Sequence, residues 1–144
     1  MKVDFWQLSH DPVEKVVALI AQKVMAEGER MLVVSADADQ RSRISEALWK
    51  TGAESFLANG EAALPGAESQ IILLSEDTNP ANAASHVVFA DGEYRKPDGF
   101  DRAFLLFDDS TVQSARGIWK GLESEQAFER SFFRQEGGKW AKVA

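Results

Sequence analysis

The sequence predicts an α/β domain of Rossmann-like, three-layer architecture with a mostly parallel sheet, residues 1–144 forming a single unit. Three observations carry this expectation. Short apolar runs recur at 30–36, 71–75, 86–90 and 103–107, the pattern of strands covered on both faces. Stretches with apolar residues at helical spacing lie around them, in the order β-α-β-α-β-β-β-α. No low-complexity tract, long linker or internal repeat divides the chain, and 144 residues is the size of one ordinary domain.

The elements follow in order. VDFWQL (3–8) is a first strand. Asp11 as a capping carboxylate, Pro12 at the first helical position and Glu14 in the first turn open a helix. Val13, Val16, Val17, Ile20, Ala21 and Val24 make its stripe, and Gly28 stops it. RMLVVSA is the second strand. A second helix is expected from Asp39 to Lys50, with Ile44, Ala47 and Leu48 inward and Gly52 at its end. Residues 53–69 read as mostly loop, before the strands IILLS, HVVFA and AFLLF. Ser110 with Gln113 resembles a capping box. It opens a long helix with Val112, Ala115, Trp119 and Leu122 on one stripe, predicted to run to Phe132. The pair Gly137–Gly138 then breaks the chain before the tail KWAKVA.

Composition narrows function. With no cysteine, the chain has no disulfide, thiolate zinc site or cysteine nucleophile. Two histidines, His10 and His86, are too few for a histidine metal cluster. No apolar run is long enough to span a membrane, and MKVDFWQL lacks the pattern of a signal peptide, so a cytoplasmic location is expected. Sixteen basic against twenty-three acidic residues give a net charge of −7, which argues against general nucleic-acid binding. The charge is uneven. Residues 111–144 carry six basic residues (Arg116, Lys120, Arg130, Arg134, Lys139, Lys142) and four Glu. A basic end on an acidic body suits a small acidic ligand or peptide; a solvated helix face is the plainer reading.

Motifs of common chemistries are missing. No glycine-rich phosphate loop follows a strand, and no G-x-S-x-G elbow is present. Asp37 and Asp39 after the second strand, with Glu76 and Asp77 after the third, lie where an open α/β sheet places ligands. They define an alternative, a Mg²⁺-dependent phosphotransfer or receiver-like domain using Asp37, Asp39 and Asp77. Helix capping and a turn explain the same residues. Neither histidine has a Ser or Asp partner at a catalytic spacing.

Two aromatic features suggest binding. Trp49 falls off the Ile44–Leu48 stripe, and Phe56 sits in the following loop; they are either core or a partner patch. In SARGIWK (114–120), Arg116, Trp119 and Lys120 share one helix face. An aromatic beside two cations can hold a peptide by a slot and charge-assisted bonds. The competing reading makes Trp119 core and the cations solvated. A third possibility, single-strand binding by stacking on Trp119 and Trp140, needs a basic groove.

These segments, in this order, resemble the chi subunit family of bacterial DNA polymerase III holoenzyme. The likeness runs from F-x-x-L (5–8) through EALWKTGAESFLANG, NPANAASHVVFADG, FDRAFLLFDDS and SARGIWK to FFRQEGGKWAKVA. It implies a Rossmann-like, non-catalytic accessory subunit without cofactor or metal. It further implies an adaptor that binds the acidic C-terminal tail of single-stranded DNA-binding protein and meets DNA only indirectly. On this resemblance Arg116, Trp119 and Lys120 hold the tail. Trp119 stands where a member of the family has Tyr, and Val112 where that member has a further Lys. Trp49 and Phe56 match the surface that docks on the psi subunit, and so on the clamp loader, or on a repair helicase in its place.

Overall fold

The computed structural model describes residues 1–51, 57–125, 128–136 and 139–144. Among the described residues eight strands form one sheet: β1 (Lys2–Gln7), β2 (Met31–Val34), β3 (Asn59–Glu61), β4 (Ile72–Ser75), β5 (His86–Phe89), β6 (Arg102–Phe107), β7 (Glu129–Glu136) and β8 (Lys139–Lys142). Their order is β3-β4-β2-β5-β6-β1-β7-β8. Every pairing is parallel except that of β7 with β8. Helices α1 (Val13–Ala26) and α2 (Ala38–Lys50) cover one face, and α3 (Val112–Glu123) covers the other. The fold is thus the expected Rossmann-like α/β architecture with a mostly parallel sheet.

Alternation along each strand builds the two cores. Trp6 and Leu8, Met31 and Val33, Ile72 and Leu74, and Phe104 and Leu106 face α1 and α2. Val3 and Phe5, Leu32 and Val34, Val87 and Phe89, and Leu105 and Phe107 face the α3 side. All four residues of β2, β4 and β5 are buried, which is why these strands read as unbroken apolar runs. In α1 the stripe Val16, Val17, Ile20, Ala21 and Val24 is buried as its spacing predicts. Gly28 ends it at φ 75°, donating to the Met25 carbonyl while Glu29 donates to that of Val24. This is a Schellman closure, which needs the left-handed residue glycine supplies.

Capping differs from expectation at two helices. Asp11 caps nothing: Pro12 is the N-cap of α1, without a side-chain cap bond. Asp11 Oδ2 instead accepts from Gln135 Nε2 at 2.8 Å, because β7 brings an amide beside it. The Ser110–Gln113 box does not form either. Thr111 is the N-cap of α3, without a side-chain cap bond, and the Ser110 amide turns to Asp108 Oδ1 at 2.9 Å.

The largest correction lies after α3. The helix stops at Glu123, and residues 129–136 form a parallel strand beside β1. The doublet Phe132-Phe133 fits either a helix stripe or two faces of a strand. Here the strand wins because it covers the flank of β1, whose Val3, Asp4, Phe5 and Trp6 are all buried. Phe132 then packs on the α3 side and Phe133 on the α1 side. Residues 59–61, expected as loop, add the short edge strand β3. Gly137–Gly138 and Gly52 lie outside the described residues. The tail returns as β8 and sets Trp140 against Trp6, ring centroids 4.7 Å apart.

Gln135 anchors this added strand and had no signal in the sequence. It is 3% exposed. Its Oε1 accepts from the amides of Ser9, His10 and Asp11 at 3.5, 3.1 and 3.1 Å, and its backbone carbonyl accepts from Ser9 Oγ at 2.7 Å. Gln135→Leu will leave those amides without their acceptor and lower stability by about 2 kcal/mol, read by chemical denaturation. The bond from Gln135 is also the main cause holding the Asp11 carboxyl below its ordinary value. Its pKa, followed by NMR, will rise toward the usual range in the variant. An unchanged Asp11 titration will show that the clamp does not operate.

Candidate functional site

The aromatic–cation cluster of α3 is set by the helix period, about 100° per residue. Ala115 and Leu122 are buried, and Ile118 packs partly beneath the helix. Trp119 falls on the rim of that buried stripe, and Arg116 and Lys120 fall beyond it, exposed. The structure therefore separates what the sequence placed on one face: a half-buried ring with two solvent-facing cations beside it.

The Trp119 ring is fixed from several sides. Phe5 meets it edge-on at 5.2 Å and 82°, and Phe132 at 5.8 Å and 83°. The Arg130 guanidinium stands over the ring, 4.2 Å from its centroid. Arg130 also donates to the Trp119 carbonyl at 2.6 Å. Such edge-on and cation–ring contacts each add roughly 0.5–1.5 kcal/mol. Sequence reasoning missed Arg130 as a partner of Trp119, because the residues around it read as helix. Trp119 is thus packed against the core on one side and partly open on the other.

Trp49, at the end of α2, is 47% exposed, which removes the core reading for it. Phe56 lies outside the described residues. Trp119 and Trp140 sit on opposite faces of the sheet, the first with the α3 cluster and the second with the α1 cluster. They cannot form one stacking track.

The acidic residues after the strands do not converge. Asp37 is the N-cap of α2, accepting from the Asp39 amide at 2.9 Å and the Gln40 amide at 3.3 Å. Asp77 accepts from Ser75 Oγ at 3.2 Å and the Asn79 amide at 3.0 Å. Among the described residues no group of three His, Asp or Glu is placed to hold a metal ion. Asp37 is therefore a helix cap, Asp39 a first-turn residue of α2 and Asp77 a turn residue, and the three form no metal-binding group among the described residues. His86 is buried at the start of β5, its Nδ1 2.8 Å from Ser85 Oγ. His10 is exposed beside α1.

The mostly parallel sheet with helices on both faces defines a Rossmann-like α/β protein. The family model described as DNA polymerase III chi subunit, HolC, matches residues 1–127. The chain belongs to that family and is an accessory component of the DNA polymerase III replication machinery. A search among curated proteins finds no match. No helix among the described residues is long and apolar enough to cross a membrane.

Proposed function

We propose that this chain is a non-catalytic adaptor, acting as a single domain in the cytoplasm. It joins the clamp-loader side of the replication machinery to the acidic C-terminal tail of single-stranded DNA-binding protein. The observation that carries this reading is the α3 cluster. Arg116 and Lys120 are exposed and have no carboxylate within ion-pair distance among the described residues. They stand beside a tryptophan ring already held in place by Phe5, Phe132 and Arg130. A peptide ending in a phenylalanine carboxylate matches both halves: its ring meets the aromatic, and its acids meet the cations. A prefixed ring loses little entropy on binding. The net charge of −7 favours meeting DNA through the coating protein rather than directly. Trp49, with Phe56, serves on this reading as the second surface, for a psi subunit or a repair helicase.

The test is a fluorescence-anisotropy titration with a labelled Asp-Asp-Ile-Pro-Phe peptide bearing a free carboxylate. Saturable binding in the micromolar range, weakened by salt, is expected. The peptide without its final Phe will not bind. Arg116→Ala will weaken binding by about tenfold, the loss of one charge-assisted bond. Equal binding of the two peptides, or full affinity in Arg116→Ala, will overturn the assignment.

A further inference from the structure

The distribution of ion pairs divides the chain in two. Of its sixteen basic residues, ten precede residue 111. Six of those ten (Lys15, Arg41, Arg43, Lys50, Arg95 and Arg102) are paired with carboxylates. None of the six that follow is paired among the described residues, although the chain has seven acids in excess. The fold gathers several of these cations. Alternation on β7 sends Arg130, Phe132 and Arg134 to the α3 side and Ser131, Phe133 and Gln135 to the other. Phe132 lies against Trp119, and Arg130 stacks on it. Arg134 follows two residues on, exposed, its Nε 3.4 Å from Gln7 Oε1. Arg130 and Phe132 of β7 thus meet Trp119 of α3 on one face of the sheet, and alternation places Arg134 on that same face. Asp109, which accepts from Gln7 Nε2 at 3.4 Å, and Glu136 mark the acidic limit of this row. Residues 129–142 lie beyond the span matched by the family model.

We propose that the acidic-peptide surface continues from α3 onto β7, with Arg130 and Arg134 as a second row of cations. On this inference, which rests on the adaptor reading, the terminal carboxylate and ring of the peptide engage α3. The acidic residues upstream of them lie along β7. Arg130 has two tasks, pinning Trp119 and carrying charge. Arg134 carries charge and reaches Gln7 Oε1 at 3.4 Å rather than the Trp119 ring, so it is the residue to change.

The experiment compares Asp-Asp-Asp-Asp-Ile-Pro-Phe with Asn-Asn-Asn-Asn-Ile-Pro-Phe on the full chain and on Arg134→Glu, with circular dichroism to establish that the variant is folded. Charge reversal at Arg134 will weaken the Asp peptide by about fivefold, the scale of an exposed charge contact removed and inverted. It will change the Asn peptide less than twofold. Arg116→Ala, by contrast, will weaken both peptides. Equal effects of Arg134→Glu on the two peptides, or no effect on either, will overturn the second row and leave the α3 site standing. Failure of the unaltered chain to bind the Asp peptide will overturn both.

Discussion

Arg102→Met will lower the stability of this chain by about 3–5 kcal/mol. The reason is Asp4. It sits in the middle of the sheet on β1, completely buried. Arg102, on the neighbouring β6, donates to its Oδ2 from both Nε and Nη2. The two residues are brought together by parallel register, which pairs Lys2 with Arg102 and so sets Asp4 one pleat further along the same face. Asp4 Oδ1 has no partner among the described residues. All the compensation for a desolvated carboxylate therefore comes from one guanidinium, which also lies 4.9 Å over the Phe104 ring. Removing it strands a buried charge; removing both charges does not. The double variant Asp4→Asn with Arg102→Met will accordingly recover most of the loss. Denaturant unfolding of the two variants decides the matter. A single variant within about 1 kcal/mol of the parent will mean that Asp4 is solvated in solution.

The sequence made the centre of this fold readable and its flank opaque. β2, β4 and β5 are short, fully buried and mostly apolar runs (MLVV, ILLS, HVVF) between turn signals, and such runs fit a parallel sheet best. The stripe of α1 and the stop at Gly28 were likewise local signals with one meaning. β7 was different. ERSFFRQE has two adjacent aromatics and charges on both sides. Only the uncovered flank of β1, a long-range fact, decides between helix and strand. That single misreading hid the partners of Trp119. Once 129–136 is a strand, Phe132 and Arg130 reach the ring; as a continued helix they would have run past it. The candidate residues themselves were legible because SARGIWK is short, local and helical. Trp49 was legible as off-stripe, and its exposure agrees with that.

Trp119→Ala will produce two separable losses, and separating them tests what the ring is for. The first is structural. Deleting the indole removes its contacts with Phe5, Phe132 and Arg130 and opens a cavity at the rim of the α3 core. Because the ring is only partly buried, the cost falls near the lower end for such truncations, about 3 kcal/mol. Stability is spent here without unfolding a domain of ordinary reserve. The second loss is in binding. If the ring is the wall of the peptide slot, its removal will weaken the Asp-Asp-Ile-Pro-Phe peptide by about thirtyfold or more, the scale of a central aromatic anchor. Trp119→Phe keeps an aromatic edge toward Phe5 and Phe132, so it will restore most of the stability and only part of the affinity. Measured at a temperature where circular dichroism shows every variant folded, affinity will follow ring area at the slot. If Trp119→Ala is folded and binds the peptide as the parent does, the indole is a core residue alone. The contact then belongs to Arg116, Lys120 and the cations of β7.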